Sequence, residues 1–574
     1  MAAGYSFYMA PSPTVPEPIQ PQLPAAPVRP CRERSVCERL PFWLIVSAML
    51  LAVGIFYHHY WRGLNNRSHE DNAIALLQGL DLARGNLLLR HWAVPPDNLL
   101  TIDLPWYALA VKLAGLSPWL MQAVPLALLL LLLALAARLL RKESTTLAYA
   151  REYSGELPSY IGLIVIFSLL AIIAPGRGDP WLLEGPNHVG TTIYSLLTLL
   201  MLSTAAEAGG HRKRSLLAAC ALALTLIISF GDPMALLLIA VPALVVWCGD
   251  ALLGRAGKYS TISTLLVLAA CLAGGFLRGS FVELGGFSVL WNLAPSFIHL
   301  ADLRAAIAQA ATNWLGLAGC NFTTATWPAA GAAVLRAVAA ALVLLLAGGE
   351  CWRWLRGERL ALLDRWLAVG TLVVFVAAMV SEQGFAKRSL ESHYQLPGYI
   401  LGVALLARKA AEAAAWSPRM KKSMLLGSML LLVSCGPVLA QWRIWPHHGV
   451  STAKLARWLD RHHFHRGFGC YWDSNMITVQ TGGKVTVRAL ACTDKARPYH
   501  WLSKSTWYNT RKHHFNFYVF DRYGAQWFPL CGTGRIKYSP DYLPQGVIAT
   551  FGKPGRIYHY LHYTIAIWPH ALHF

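Results

Sequence analysis

Long, nearly uncharged apolar runs, separated by short polar stretches, occupy most of the chain. They lie at about 42–60, 119–139, 158–175, 189–208, 215–230, 233–253, 261–278, 328–347, 366–383, 396–412 and 423–442. Each run is near the ~20 residues that an α-helix needs to cross the ~30 Å hydrocarbon core of a bilayer. Gly231-Asp232-Pro233 separates two runs, and we interpret it as the apex of a helical hairpin. The pattern predicts a mainly α-helical, polytopic membrane bundle of about eleven transmembrane helices over residues 41–442.

Two segments fall outside this pattern. Residues 1–40 are rich in proline and are predicted to be a disordered cytoplasmic tail, because they cannot form a packed core. Residues 443–574 carry 17 Lys and Arg, five Asp and no Glu, which gives a net charge of +12. A helix is predicted there at 455–462, and strands at 476–480, 484–490, 516–521, 547–551 and 563–568. We therefore predict a small, basic C-terminal α/β domain.

Composition and charge agree with a membrane protein. Hydrophobic residues make up 55% of the chain and charged residues 14%, about half the charged fraction of a soluble domain. The net charge of +21 does not indicate nucleic-acid binding, because no zinc-finger spacing, compact basic arm or RNA-binding signature is present. Basic residues instead mark alternate short loops, at 141–142, 212–214, 255–258, 353–359 and 419–422. By the positive-inside rule these loops are cytoplasmic, which places a long first loop (61–118) and residues 443–574 in the periplasm, outside a bacterial inner membrane.

The cysteines and histidines do not indicate a metal centre. No CxxC pair occurs among the eleven cysteines, and the histidines at 462–465 lack the spacing of a helical zinc site. A periplasmic domain permits a disulfide, and the pair we predict is Cys470 with Cys492.

The candidate chemistry begins just after the first apolar run. Ser68-His69-Glu70-Asp71-Asn72 places two adjacent carboxylates at the membrane edge, where they are costly unless hydrated, paired or used. One interpretation is structural, because acidic residues favour the first turn of a helix. The other is that the pair is catalytic.

Two further motifs add to the acidic pair. Asp103-Leu104-Pro105-Trp106-Tyr107 leads to Gly115, and His393-Tyr394-Gln395-Leu396-Pro397 opens the tenth apolar run. Together the three resemble motifs of the GT-C superfamily of lipid-dependent glycosyltransferases, such as aminoarabinose transferases and protein O-mannosyltransferases. Those enzymes have an Asp-Glu pair, a Lys-Pro-Pro-type motif and an Arg-Tyr-Leu-x-Pro motif in the same order. The chain also resembles uncharacterised bacterial members at 76–79, 185–188 and 482–488.

The resemblance implies an inverting transfer of a sugar from a polyprenyl-phosphate donor to an envelope glycan, lipid or protein on the periplasmic face. Such a transfer needs a base for the acceptor and a charge to stabilise the leaving phosphate. The resemblance implies Glu70 as the base, with Asp71 orienting the acceptor or a divalent cation such as Mg or Mn. Asp103 and His393 replace the family's Lys and Arg. Lys387 and Arg388, a few residues before His393, are predicted to replace the lost positive charge. The substrate-binding residues we predict are Asp103, His188, Lys387, Arg388, His393 and Tyr394.

Two other functions stay open from the sequence. The loss of the family Lys and Arg favours a catalytically inert relative that binds a lipid-linked glycan or scaffolds an envelope complex. A transporter or lipid flippase is the second alternative, although the apolar runs show no internal repeat and no ionisable residues deep within several of them.

Overall fold

The computed structural model describes residues 36–63, 70–142, 156–171, 182, 185–290, 296–320, 327–382, 392–441, 448–522 and 543–574. Most of the predicted tail at 1–40 lies outside them. The chain divides into two units, Met1–Ile45 and Val46–Phe574; apart from the start of the first helix, everything described below belongs to the second.

The part of the chain before the C-terminal domain is almost entirely helical. Its helices are α1 (Val36–Gly63), α2 (Glu70–Ala83), α3 (Leu104–Ala114), α4 (Leu120–Leu140), α5 (Leu157–Leu170), α6 (Val189–Glu207), α7 (His211–Gly231), α8 (Val241–Leu252, preceded by a π-helical turn, Leu236–Ala240), α9 (Lys258–Glu283), α10 (Leu303–Leu317), α11 (Trp327–Leu355), α12 (Leu362–Val380), α13 (Leu396–Trp416) and α14 (Pro418–Gln441). Two short strands, β1 (Trp92–Val94) and β2 (Ser288–Val289), interrupt them.

The predicted membrane bundle is confirmed. Among the described residues, eight helices are long and apolar enough to cross a bilayer: they lie in α1, α4, α6, α7, α9, α11, α12 and α14. The other three predicted runs are also helices. The run at 158–175 corresponds to α5 and the run at 233–253 to Leu236–Leu252, and both are shorter than a full span.

The third of these, α13, lies inside the bundle. It packs against α5, α12 and α14, and most of its residues are buried. This helix is less apolar than the eight helices above because it contains charged residues, and these residues are paired. The Arg408 Nε donates to Asp364 Oδ1 at 2.6 Å, and Lys409 Nζ lies 2.8 Å from Asp364 Oδ2. A charged pair inside a bundle is stable only when it is satisfied in this way.

The C-terminal α/β domain follows α14. Its elements are α15 (His448–Arg461), β3 (Arg466–Gly469), α16 (Tyr471–Gln480), β4 (Thr486–Cys492), β5 (Ala496–Pro498), β6 (Ser503–Lys504), β7 (Phe517–Asp521), α17 (Gln545–Phe551), β8 (Arg556–Tyr560) and β9 (Tyr563–Ile567). Six strands form a mixed sheet in the order β5-β4-β3-β7-β9-β8. Alternate strand residues face opposite sides, so two apolar cores form, one under α15 and α16 and one under α17.

Two predicted strands of this domain are wrong. Residues 476–480 belong to α16 and residues 547–551 to α17. Val547 and Phe551 are one helical turn apart and enter the same core. In α16 nearly every residue is buried, so the apolar run has no alternation that would separate a helix from a strand.

The predicted disulfide is also wrong. Cys470 is disulfide-bonded, but Cys492 is a free thiol. Both sulfur atoms lie near the Tyr518 hydroxyl, with Cys492 Sγ at 3.3 Å and Cys470 Sγ at 3.7 Å.

A second, three-stranded sheet joins the C-terminal domain to the loops of the bundle. Its order is β2-β1-β6, so β1 of the first loop pairs with β6 of the domain. Asp81 of α2 strengthens this contact, because its carboxylate accepts a hydrogen bond from Lys504 Nζ at 2.8 Å and from Trp92 Nε1 at 2.8 Å. The first loop and the C-terminal domain are therefore joined by strand pairing and by the Asp81–Lys504 ion pair.

Candidate active site

Glu70, at the start of α2, is fully buried against the C-terminal domain. Its carboxylate accepts hydrogen bonds from the backbone N–H of Asn475 at 3.0 Å, from the Asn475 side chain at 2.6 Å and from the backbone N–H of Met476 at 3.1 Å. Burial raises the pKa of Glu70 well above its usual value, and the hydrogen bonds of Asn475 and Met476 oppose that shift. Since both oxygens face N–H donors, a proton taken up there would displace a hydrogen bond.

Asp71, the next residue, is partly exposed. Its Oδ1 accepts a hydrogen bond from the Tyr471 hydroxyl at 2.9 Å. The Tyr471 ring is buried and lies 5.4 Å from the Tyr499 ring, centroid to centroid. Burial raises the pKa of Tyr471 well above its usual value and the Asp71 charge adds to the effect, so the phenol stays a proton donor. Asp71 is thus the accessible carboxylate of the pair, held in place by the C-terminal domain.

Arg488 fixes the orientation of the Asn475 side chain. Its Nη1 donates to Asn475 Oδ1 at 3.1 Å, and its guanidinium lies 3.6 Å from the centre of the Trp507 ring. Burial lowers the pKa of Arg488 to about 10, which still leaves it charged at neutral pH. Arg488 therefore holds the Asn475 side chain with its NH₂ group toward Glu70.

A second cluster lies where α6 begins. His188 has left-handed backbone geometry (φ 56°), and its Nδ1 lies 2.6 Å from Asp232 Oδ2. Thr191 Oγ1 donates to the same oxygen at 2.5 Å. Burial alone would lower the pKa of His188, but the Asp232 carboxylate reverses this and raises it to about 9. His188 is therefore a cation that Asp232 largely neutralises.

The turn before His188 connects the two clusters. A Cβ atom placed on Gly185 would lie 3.7 Å from the Asp71 Cβ, and Gly185 has φ +124°. The turn that carries His188 therefore passes directly beside Asp71.

His393 and Tyr394, just before α13, lie beside His188. The His393 ring is nearly parallel to the His188 ring, with 6.1 Å between centroids and 8° between planes. The Tyr394 ring centroid lies 5.6 Å from that of His188. The structure thus brings together three of the predicted substrate-binding residues, while Lys387 and Arg388 lie outside the described residues.

Asp103 lies close to this cluster but is fully buried. Its Oδ1 accepts the backbone N–H of Gly190 at 3.1 Å, so the carboxylate sits at the positive end of α6. A Cβ on Gly190 would lie 2.7 Å from Asp103 Oδ2, so only glycine allows this approach. Burial raises the pKa of Asp103 to about 7. These contacts give Asp103 a structural role in joining α3 to α6.

The residues that sequence reasoning missed are Tyr471, Asn475 and Arg488. They follow Glu70 by about 400 positions, and only Arg488 falls in a stretch that the resemblance marked, 482–488. The sequence placed Asp232 at the apex of a helical hairpin, and the structure shows that its side chain is also the partner of His188.

The predicted cation was assigned to Glu70 and Asp71. Among the described residues, no group of three or more His, Cys, Asp or Glu side chains could hold a metal ion. A cation at Glu70 would also have to displace the N–H donors of Asn475 and Met476. Glu70 could therefore bind a cation only by giving up these hydrogen bonds.

Comparison with known proteins supports the fold. No protein-family model matches the sequence, and no curated protein matches it. The apo crystal structure of ArnT from Cupriavidus metallidurans is similar, with a TM-score of 0.51 and 10% identity over 92% of this chain and 98% of ArnT. The crystal structure of ArnT bound to undecaprenyl phosphate gives a TM-score of 0.50 and 11% identity over the same shares of the two chains. Such low identity establishes the fold alone: the chain has an ArnT-like fold, and its long apolar helices are those of a multi-pass membrane protein.

Proposed function

We propose that this chain is a membrane glycosyltransferase that moves a sugar from a polyprenyl-phosphate donor to an envelope acceptor. The reaction would take place on the periplasmic face of a bacterial inner membrane, where we place the first loop and the C-terminal domain. The observation that carries the proposal is an accessible, oriented carboxylate, Asp71, in the first loop of an ArnT-like fold. The ArnT structure bound to undecaprenyl phosphate supports the donor class.

In this proposal Asp71 is the base, and Glu70 holds the first loop to the C-terminal domain. The acceptor O–H or N–H attacks the anomeric carbon, its proton passes to Asp71, and the carbon–oxygen bond to the lipid phosphate breaks with inversion. This reverses the roles that the sequence resemblance implies. The reason is that the Glu70 oxygens already face the N–H donors of Asn475 and Met476.

The leaving phosphate needs positive charge. His188 is a cation, but Asp232 lies 2.6 Å away and offsets it, so the pair offers orientation and proton donation more than net charge. We propose that Lys387 and Arg388 supply the charge, with His393 and Tyr394 beside His188 contacting the phosphate or the sugar. The chemistry assigned to these residues includes no metal ion.

Paired substitutions test the two carboxylates. The assay is release of polyprenyl phosphate by purified protein from a panel of undecaprenyl-phosphate sugars, with envelope extract as acceptor. Asp71→Asn is expected to lower the rate at least ~10³-fold and to leave the melting temperature nearly unchanged. Glu70→Gln is expected to lower the melting temperature, since an amide N–H₂ would face N–H donors at a cost of about 1–3 kcal/mol.

Asp494→Asn, at an exposed carboxylate of the C-terminal domain, is the matched control and should change neither quantity. Full activity of Asp71→Asn would overturn the assignment. Binding of the donor lipid without turnover by the wild-type chain would instead support the catalytically inert relative, which the structural use of Glu70 also favours.

A further inference from the structure

The C-terminal domain carries a cluster of aromatic rings contributed by α15, β8 and the segment that follows α15. It consists of Trp458, His462, Phe464, Tyr558 and Tyr560. The Trp458 ring is nearly parallel to the rings of His462 (4.1 Å, 27°) and Tyr560 (5.5 Å, 22°), while Tyr558 meets Trp458 edge-on at 5.5 Å. His462 is exposed and the other four are partly exposed, so the rings close the core under α15 and still present aromatic area to solvent. The strand that contributes Tyr558 and Tyr560, β8, is the edge of the sheet opposite β5.

Basic side chains flank this aromatic surface. Lys454, Arg457 and Arg461 are all exposed, and their spacing puts them on one face of α15 beside Trp458. Arg556 Nη1 donates to the Tyr558 hydroxyl at 2.9 Å, and its guanidinium lies 5.8 Å from the centre of that ring. Residues 443–574 contain no Glu and only five Asp, so few carboxylates compete for these cations.

The chemistry of this surface suits one kind of ligand. The exposed ring of His462 and the partly exposed rings beside it offer apolar contact for the C–H face of a sugar, while Lys and Arg bind carboxylate or phosphate groups. A membrane surface fits less well, because a protein that inserts into lipid presents large exposed apolar side chains. Among the described residues of the C-terminal domain, only Leu561 and Phe574 are exposed large hydrophobic residues.

We propose that the aromatic surface and its basic flank form a binding site for an acidic saccharide. The site is separate from Asp71, and its occupancy is measured as binding, not turnover. It therefore stands or fails independently of the proposed transferase activity.

The test uses the full chain in phosphatidylcholine nanodiscs at about 150 mM salt, where exposed charges more than ~8 Å apart are screened. Binding of a galacturonic acid hexamer is compared with that of neutral maltohexaose by calorimetry. The acidic hexamer is expected to bind at least ~10-fold more tightly, and His462→Ala to weaken its binding several-fold.

Matched charge variants locate the site. Replacement of Lys454, Arg457 and Arg461 by Gln is expected to weaken binding of the acidic hexamer at least ~10-fold. The control replaces Lys484, Lys495 and Arg497 by Gln, which removes the same charge from exposed positions elsewhere on the domain and should have less than ~2-fold effect.

Three results would overturn the proposal. They are equal losses in the two triple variants, no binding of the acidic hexamer by the wild-type chain, and binding of phosphatidylglycerol-containing vesicles without binding of either saccharide. The last would assign the surface to the membrane.

Discussion

Tyr471→Phe is the most informative single change for the proposed mechanism. It deletes the hydroxyl that donates to Asp71 Oδ1 at 2.9 Å and keeps the ring that packs on Tyr499. Tyr471 is a positioning residue, because it acts on the base and not on the substrate. The substitution therefore separates orientation of Asp71 from the folding of the C-terminal domain.

The size of the effect follows from the hydrogen bond. A hydrogen bond to a charged group contributes about 1.5–3 kcal/mol. If about half of this, about 0.75–1.5 kcal/mol, orients Asp71 for proton transfer, kcat falls about 3- to 12-fold, since 1.4 kcal/mol corresponds to a factor of ten. KM should stay within about twofold, because neither the donor lipid nor the acceptor loses a contact.

Tyr563→Phe is the matched control. The Tyr563 hydroxyl also donates to a carboxylate, Asp473 Oδ1, at 3.2 Å, and it too is buried in the C-terminal domain. Both variants should lower the melting temperature by a few degrees, but only Tyr471→Phe should lower kcat in the polyprenyl phosphate release assay. An unchanged kcat for Tyr471→Phe, or an equal fall for Tyr563→Phe, would refute the positioning role.

Three further outcomes follow from the fold. Because Asp232, together with Asp97 and Asp103, raises the pKa of His188 from 6.5 to about 9, the stability that this charge contributes should be present below pH 6.5 and lost as the pH rises through 9; Asp232→Asn should reduce this trend in melting temperature. Gly79→Ala should destabilise the protein by more than ~2 kcal/mol in thermal unfolding, because its Cβ would lie 2.8 Å from a backbone carbon of α3. Lys504→Met should cost about 1 kcal/mol by breaking the half-buried pair with Asp81, measured as faster proteolysis between the first loop and the C-terminal domain.

The sequence predicted the bundle because bilayer crossing imposes a length and a composition on each helix. Eight of the predicted runs meet both conditions in the described structure, and the others are helical as well. The basic α/β domain could be predicted too, from its abrupt change in charge. Helix and strand were confused at 476–480, where a nearly fully buried run carries no periodicity, and at 547–551, where five residues span little more than one helical turn.

The candidate site, too, was predicted only in part from the sequence. The sequence pointed to Glu70, Asp71, His188, His393 and Tyr394, which lie in segments that resemble family motifs, although His393 stands where the family has Arg. The resemblance to the family assigned the base to Glu70, and nothing in the sequence shows how buried either carboxylate is.

Tertiary structure distinguishes the two carboxylates. Asn475 and Met476, about 400 residues further along the chain, close over Glu70, while Tyr471 leaves Asp71 partly exposed and orients it. Burial and hydrogen-bond donors decide what a carboxylate can do. Here both come from a domain that is distant in sequence, so local patterns decided where the carboxylates lie and only the packed fold decided which one is available for chemistry.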